Sequence, residues 1–322
     1  MLKEGSAGDE VAELRARLEA LGLASSRDDA GFFGPATRAA VEAFQRRRGL
    51  PRTGKIDQAT WSVLVEAGHV LGSRPLEHLS PMLRGDDVAD LQQRLCALGF
   101  DTDRVDGIFG GLTAHAVAEF QENIGLTPDG KAGPVTTAQL LRLGGLSELT
   151  RSVTAVRDVE LLRSRSGADR FKVVGLSSLG IDHSAVHTIH LHLESVGLTV
   201  HRLGGDERTD PAFANRLGVD LYLGLAHAQE TSTCRTLFYS GYAYESASGK
   251  SLASQIMASF IPTHELQLSA VGMALPLLRE TLMTAIVVEL PHTLETIGGA
   301  SGVAEALATA ITADFHEGDE SR

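Results

Sequence analysis

The sequence predicts a multidomain chain: two small all-α modules of three helices each, then one α/β domain whose mostly parallel sheet is covered by helices on both faces. Three observations carry that expectation. A stretch near the N-terminus recurs further along the chain, both copies are filled with short amphipathic helical segments, and from Phe171 onward strand-like apolar runs alternate with helical ones. The boundaries read as 1–72 for copy one, 77–145 for copy two, 146–168 for a connector and 169–318 for the α/β domain. With 322 residues, 43% of them apolar and 22% charged, the chain can bury several cores, which excludes a disordered or fibrous protein.

The repeat is visible residue by residue. Gly8-Asp9-Glu10-Val11-Ala12-Glu13-Leu14 recurs as Gly85-Asp86-Asp87-Val88-Ala89-Asp90-Leu91. Gly31-Phe32-Phe33-Gly34 recurs as Gly107-Ile108-Phe109-Gly110, Phe44-Gln45 as Phe120-Gln121, and Gly54-Lys55 as Gly130-Lys131. In copy one Val11, Leu14, Leu18 and Leu21 share one helical face, with Gly8-Asp9 as the start and Gly22 as the stop. A second helix begins after Gly34-Pro35 and presents Ala40, Val41 and Phe44. The third begins near Asp57 or Pro134 and carries Trp61 and Leu64, or Leu140 and Leu141. Helices this short must pack on one another to persist.

These motifs resemble the peptidoglycan-binding-like domain of cell-wall hydrolases. Asp106-Gly107-Ile108-Phe109-Gly110 with Thr113 is similar to its Asp-Gly-x-Phe-Gly-x-x-Thr, Phe120-Gln121 to its Phe-Gln, and Asp129-Gly130 to its second Asp-Gly. The resemblance implies ligand contacts at Asp106, Phe109, Thr113, Gln121 and Asp129, and a peptidoglycan fragment or precursor as ligand. The same residues also read as turn and helix-start residues. Copy one departs at Ala30 and Thr53, where copy two has its two aspartates.

In the connector, Val156, Val159, Leu161 and Leu162 suggest a short helix. Beyond it, 171–176 reads as a buried strand, 183–196 as a helix, 198–202 as a strand and 210–217 as a helix. Strands follow at 220–225 and 236–240, helices at 249–260 and 275–282, a strand at 285–290 and a last helix at 302–315. Strands alternating with helices argue a mostly parallel sheet, whose ligands sit beyond the carboxyl ends of the strands.

The segment from Leu278 to Leu290, with Leu278-Arg279, Thr281, Met283, Ala285 and Val287-Val288-Glu289, resembles the closing signature of the zinc-dependent N-acetylmuramoyl-L-alanine amidases. Residues 220–225 resemble the strand that delivers the second histidine ligand of that family. The resemblance implies a zinc held by His, Glu and His with water in the open position, and a general acid/base carboxylate. Here the loop after the first strand, 177–182, has no histidine; the glutamate ligand's place falls near Ser178; the second histidine's place is Ala226, with His227 one residue late. Only Glu289 is kept, as the catalytic carboxylate if the chain is active, or otherwise as a strand-end carboxylate paired with Arg279 or a helix N-terminus.

A rival metal set is open: His183, His187 and His190 share a helical face, and His183, His187 and His227 could hold a substituted zinc. Scattered surface histidines are the plainer alternative. Two cysteines, Cys96 and Cys234, exclude a disulfide framework, and Cys96 reads as a small buried residue. The formal net charge of −12 disfavours nucleic acid and anionic membrane, and Arg46-Arg47-Arg48 reads as a solvated helix end. No apolar run is long enough to span a bilayer, and the first residues lack a basic-then-apolar leader, so the expected location is the cytoplasm, or the cell wall if the chain is exported.

The whole arrangement is similar to actinobacterial cytoplasmic amidase-like regulators. That implies a catalytically inactive homologue in cell-wall synthesis control, needing no cofactor, with the UDP-N-acetylglucosamine enolpyruvyl transferase as an alternative partner. The competing expectations are an active zinc amidase cleaving the muramoyl–L-alanine bond, and a structural wall-binding protein.

Overall fold

The computed structural model describes residues 1–23, 28–29, 31–144, 171–228, 230–241, 244–260, 266–295 and 297–313. The connector with its expected helix, Ala30 and the end of the last helix lie outside them. Two compact units divide the chain, and both helical modules belong to the first.

Copy one contains α1 (Asp9–Ala20), α2 (Pro35–Arg47) and α3 (Gln58–Glu66); copy two contains α4 (Asp86–Ala97), α5 (Gly111–Asn123) and α6 (Pro134–Gly144). The six helices are those the repeat predicts. Val11, Leu14, Leu18, Phe33, Val41, Phe44 and Leu64 form one core, and Val88, Leu91, Leu95, Phe109, Val117, Phe120 and Leu140 form its counterpart. Gly22 follows α1 at φ 72°, a left-handed conformation that costs glycine nothing, while Leu23 N donates back to Leu18 O at 2.8 Å. Asp57 caps α3, its Oδ1 accepting from Thr60 N at 2.7 Å. Asp9, in contrast, makes no cap; Gly8 holds the N-cap position of α1.

The arginine run does not behave as a solvated helix end. Arg46 and Arg47 are exposed, but Arg48 is 6% exposed and grips both carboxylate oxygens of Asp86 at 2.7 and 2.8 Å. This fork-to-fork pair ties the end of α2 in copy one to the start of α4 in copy two. A second pair, Arg74 to the buried Asp87 at 2.7 Å, fixes the segment between the copies, and Arg74 also donates to Arg84 O.

The second unit is a six-stranded sheet in the order β2-β1-β3-β6-β4-β5. Its strands are β1 (Val173–Leu179), β2 (Thr199–Arg202), β3 (Leu221–His227), β4 (Thr233–Tyr239), β5 (Gln267–Met273) and β6 (Thr284–Leu290). All neighbours run parallel except β4 with β6. The helices are α7 (His183–Ser195), α8 (Asp210–Leu217), α9 (Ala247–Ser259), α10 (Pro276–Glu280) and α11 (Ile297–Thr312). One sheet face, with Leu221, Leu223, Leu225, Ile286 and Val288, packs against α7, α9 and α11. α10, which contacts α8, packs on β4 and β6, so the α/β class is as predicted. Some bounds differ: β1 begins at Val173 and runs to Leu179 where 171–176 is expected, and β4 begins at Thr233 where 236 is expected. β5 is a strand the pattern did not announce, α10 is shorter than 275–282, and α11 begins five residues before Gly302.

Candidate functional site

The carboxyl ends of β1, β3 and β6 form the place where a parallel sheet presents its ligands. Register fixes which residues meet there. Leu179 of β1 lies opposite Ala226 of β3, Ala226 opposite Glu289 of β6, and Glu289 opposite Arg235 of β4. Paired residues share a face, so Leu179, Ala226, Glu289 and Arg235 form one row across the sheet. β3 continues to His227, and the one-residue offset turns that imidazole to the opposite face, as the spacing predicts.

Glu289 is bound to neither Arg279 nor a helix N-terminus. Its Oε2 accepts from Arg235 Nε at 2.6 Å, with Glu289 16% and Arg235 35% exposed. The guanidinium therefore supplies the positive charge beside this carboxylate. Neighbouring Cys234 is buried, and burial, with Glu289 adding to it, pushes its thiol up to about 12. Such a thiol holds its proton and is no nucleophile.

His227 lies on the other side of the sheet. Its Nδ1 is 2.6 Å from Oε1 of Glu295, whose side chain is 2% exposed, and its ring lies beside Gly180. His183 is exposed and lies 3.3 Å from the guanidinium of Arg202, an arrangement that disfavours a bound cation. His187 is exposed, and His190 pairs with Glu194 at 3.3 Å. Among the described residues no three His, Cys, Asp or Glu side chains gather as a metal site would need. The substituted set His183, His187 and His227 is therefore not assembled: the first two ride on α7, and the third is held at the end of β3. The family's ligand places do not fit a zinc either: Ala226 stands at the second histidine's place, the glutamate's place falls near Ser178, and the loop 177–182 carries no histidine.

In the helical unit the predicted contacts divide. Phe109 is fully buried in the copy-two core. Thr113, 2% exposed, accepts from Gln92 Nε2 at 3.1 Å. Gln121, 3% exposed, donates to Asp129 Oδ1 at 2.8 Å, Lys131 O at 3.0 Å and Thr136 Oγ1 at 3.0 Å, while its Oε1 accepts from Gly130 N at 2.9 Å. These three are buried and frame the module, the turn and helix-start role that the motif also allows. Asp106 is half-buried, and its Oδ1 accepts from Ile108 N at 2.8 Å and Gln92 Nε2 at 3.0 Å. Asp129 is exposed; the Lys131 backbone N–H and Gln121 hold its carboxyl below the usual range. The repeat does not show Gln92, because copy one has Arg15 there. Arg235 lies one residue before the strand expected at 236–240, and only the start of β4 at Thr233 brings it into the sheet.

Residues 7–64 and 84–140 each match the peptidoglycan binding domain family. N-acetylmuramoyl-L-alanine amidase CwlM of Mycobacterium tuberculosis is 30% identical over 332 residues, covering 90% of this chain and 82% of that protein. The chain belongs to the CwlM family. Amidase CwlL of Bacillus licheniformis is 32% identical over 164 residues, 44% of this chain and 46% of its own length. Among solved structures, amidase AmiC2 of Nostoc punctiforme aligns with 44% of this chain and 95% of its own, at 14% identity and a TM-score of 0.36. In this CwlM-family chain, no helix of the described residues is long and apolar enough to cross a membrane.

Proposed function

We propose that this CwlM-family protein recognises peptidoglycan fragments or their precursors without cutting them, and acts in the control of cell-wall synthesis. One observation carries the reading: the row Leu179–Ala226–Glu289–Arg235 at the strand ends. Hydrolysis of an amide by this fold needs a metal to polarise the carbonyl and to acidify water. Here the loop 177–182 offers no histidine, the glutamate ligand's place falls near Ser178, the second histidine's place is Ala226, and the remaining carboxylate is neutralised by an arginine. What is left is a scaffold beside two peptidoglycan-binding modules. We place its action in the cytoplasm, where precursors are made, and take the UDP-N-acetylglucosamine enolpyruvyl transferase as the partner to try first.

The test is elemental analysis of untagged protein offered zinc, followed by incubation with muropeptides. The reading expects less than stoichiometric zinc and intact muropeptides, with binding retained in a titration. Release of L-alanine-linked stem peptide, lost in Glu289→Gln, would establish the active amidase instead.

A further inference from the structure

The two edges of the sheet are built differently. β2 is four residues long and carries His201 and Arg202, both exposed. Short length and charge on an edge strand discourage another chain from pairing with it. β5 closes the opposite edge with neither device: Gln267–Met273 is seven residues without a charge or a proline. Among the described residues no strand or bridge pairs with its outer side.

The pairing with β4 shows which backbone groups point outward. Gln267 N donates to Ser232 O, and Met273 O accepts from Ser240 N. Along a parallel strand the N–H and C=O of one residue point to the same side, and successive residues alternate. Residues 267, 269, 271 and 273 therefore face β4, while Leu268, Ala270 and Gly272 direct both groups outward.

We propose that this edge pairs antiparallel with the same edge of a second copy of the chain, about a two-fold axis between the Ala270 residues. In that register Ala270 meets Ala270 of the other copy, and Leu268 meets Gly272. All three are pairs of the type that exchanges two hydrogen bonds, so about six bonds form. The contact is self-complementary, as a two-fold interface requires. No charge meets its own copy, the exposed Ala270 is small, and Gly272 leaves room beside Leu268. The net charge of −12 on each chain repels the partner at long range, so added salt strengthens the pairing.

The test is sedimentation equilibrium of the full chain from micromolar to sub-millimolar concentration at low and physiological salt, with amide exchange read at the same concentrations. The expected result is a monomer–dimer equilibrium in which protection at Leu268, Ala270 and Gly272 rises with concentration. Ala270→Pro removes an outward donor from an edge strand, where a monomer tolerates proline. It is expected to sediment as a monomer throughout. Ala270→Lys, which leaves every backbone donor in place, sets like charges opposite and weakens the dimer about fivefold, with salt restoring part of the loss. A wild-type chain that stays monomeric overturns the proposal. So does a dimer that survives both substitutions, or one whose concentration-dependent protection lies away from β5.

Discussion

In copy two the turn before α5 is gathered by Gln92, whose amide reaches Asp106, Ile108 O and Thr113 and whose carbonyl takes the Gly107 N–H. In copy one Arg15 stands in that place and donates to Asp29 O, while Asp28 accepts from Thr37 N at 2.6 Å and Thr37 Oγ1 at 2.7 Å at the start of α2. One module uses a buried neutral amide to draw its turn inward. The other uses a carboxylate from the loop to cap the next helix. The second turn is more alike: Gln45 and Gln121 both bind the following Gly-Lys turn, but Gln45 meets Thr53 where Gln121 meets Asp129. A fold repeated in sequence is thus held at corresponding places by different donors and acceptors, and the apolar core sets what must be conserved between copies.

The largest break of this comparison is expected at the shared glutamine. Gln121→Ala strands the Gly130 N–H and Thr136, both buried, and is expected to cost copy two about 3 kcal/mol. Gln45→Ala, losing neutral partners only, should cost about 2 kcal/mol. Urea titrations of the full chain, with amide exchange at Gly54 and Gly130 to assign each transition, compare the two. Equal losses would mean that the Asp129 charge adds nothing to its turn.

Next is the joint between copies. Arg48→Ala leaves Asp86 without its bidentate partner in a site only 24% exposed, and about 2 kcal/mol should go. The more telling readout is cooperativity. With the pair intact the copies should unfold in one transition, and in the variant copy one should melt first. Asp86→Asn would show the same separation with a smaller loss, because one fork of the arginine keeps an acceptor.

Much of this was legible in the sequence, and the exceptions have physical causes. Helix faces and cores follow from the spacing of Val11, Leu14, Leu18 and their counterparts, since burial needs one apolar stripe. Arg48 was hidden because three adjacent arginines look alike in sequence, while helix rotation points only one of them at Asp86. Asp28 lies two residues before the place of the motif aspartate, so a residue-for-residue comparison finds only Ala30. β5 was hidden by Ser269, Ala270 and Gly272, which carry little strand preference; its neighbour β4 imposes the conformation. At the candidate site, Ala226 and Glu289 were legible from the family signature, but Arg235 required the antiparallel register of β4 with β6.

Acid should act on both copies in the same direction. The Thr37 hydroxyl, with help from the Thr37 backbone, holds Asp28 below its ordinary 3.8, and the Lys131 backbone N–H with Gln121 does so for Asp129. A carboxyl depressed in the folded state contributes stability that is complete above its unfolded value and lost as pH falls through the folded one. Both copies should therefore weaken below pH 3.8. Asp28→Asn should remove that dependence from copy one and leave copy two's intact, as urea midpoints across the acid range would show. A variant that keeps the wild-type slope in copy one would assign the acid response to other carboxylates.

The smallest effect sharpens the comparison most, because it asks whether one copy's chemistry transplants into the other. In copy one Thr53 Oγ1 accepts from Gln45 Nε2 at 3.0 Å and from Lys55 N at 3.2 Å. In copy two Asp129 Oδ1 accepts from Gln121 Nε2 at 2.8 Å and Lys131 N at 2.9 Å. Donor, acceptor and turn correspond; only the acceptor's charge differs, and the charged bonds are the shorter ones. Thr53→Asp should therefore stabilise copy one by about 0.5 kcal/mol above neutral pH and by nothing once the carboxyl is protonated. Exchange at Gly54 and Lys55 should slow in step with that gain. A gain that persists at acid pH would trace to shape, and no gain at any pH would mean that copy one has adjusted its turn to a neutral acceptor.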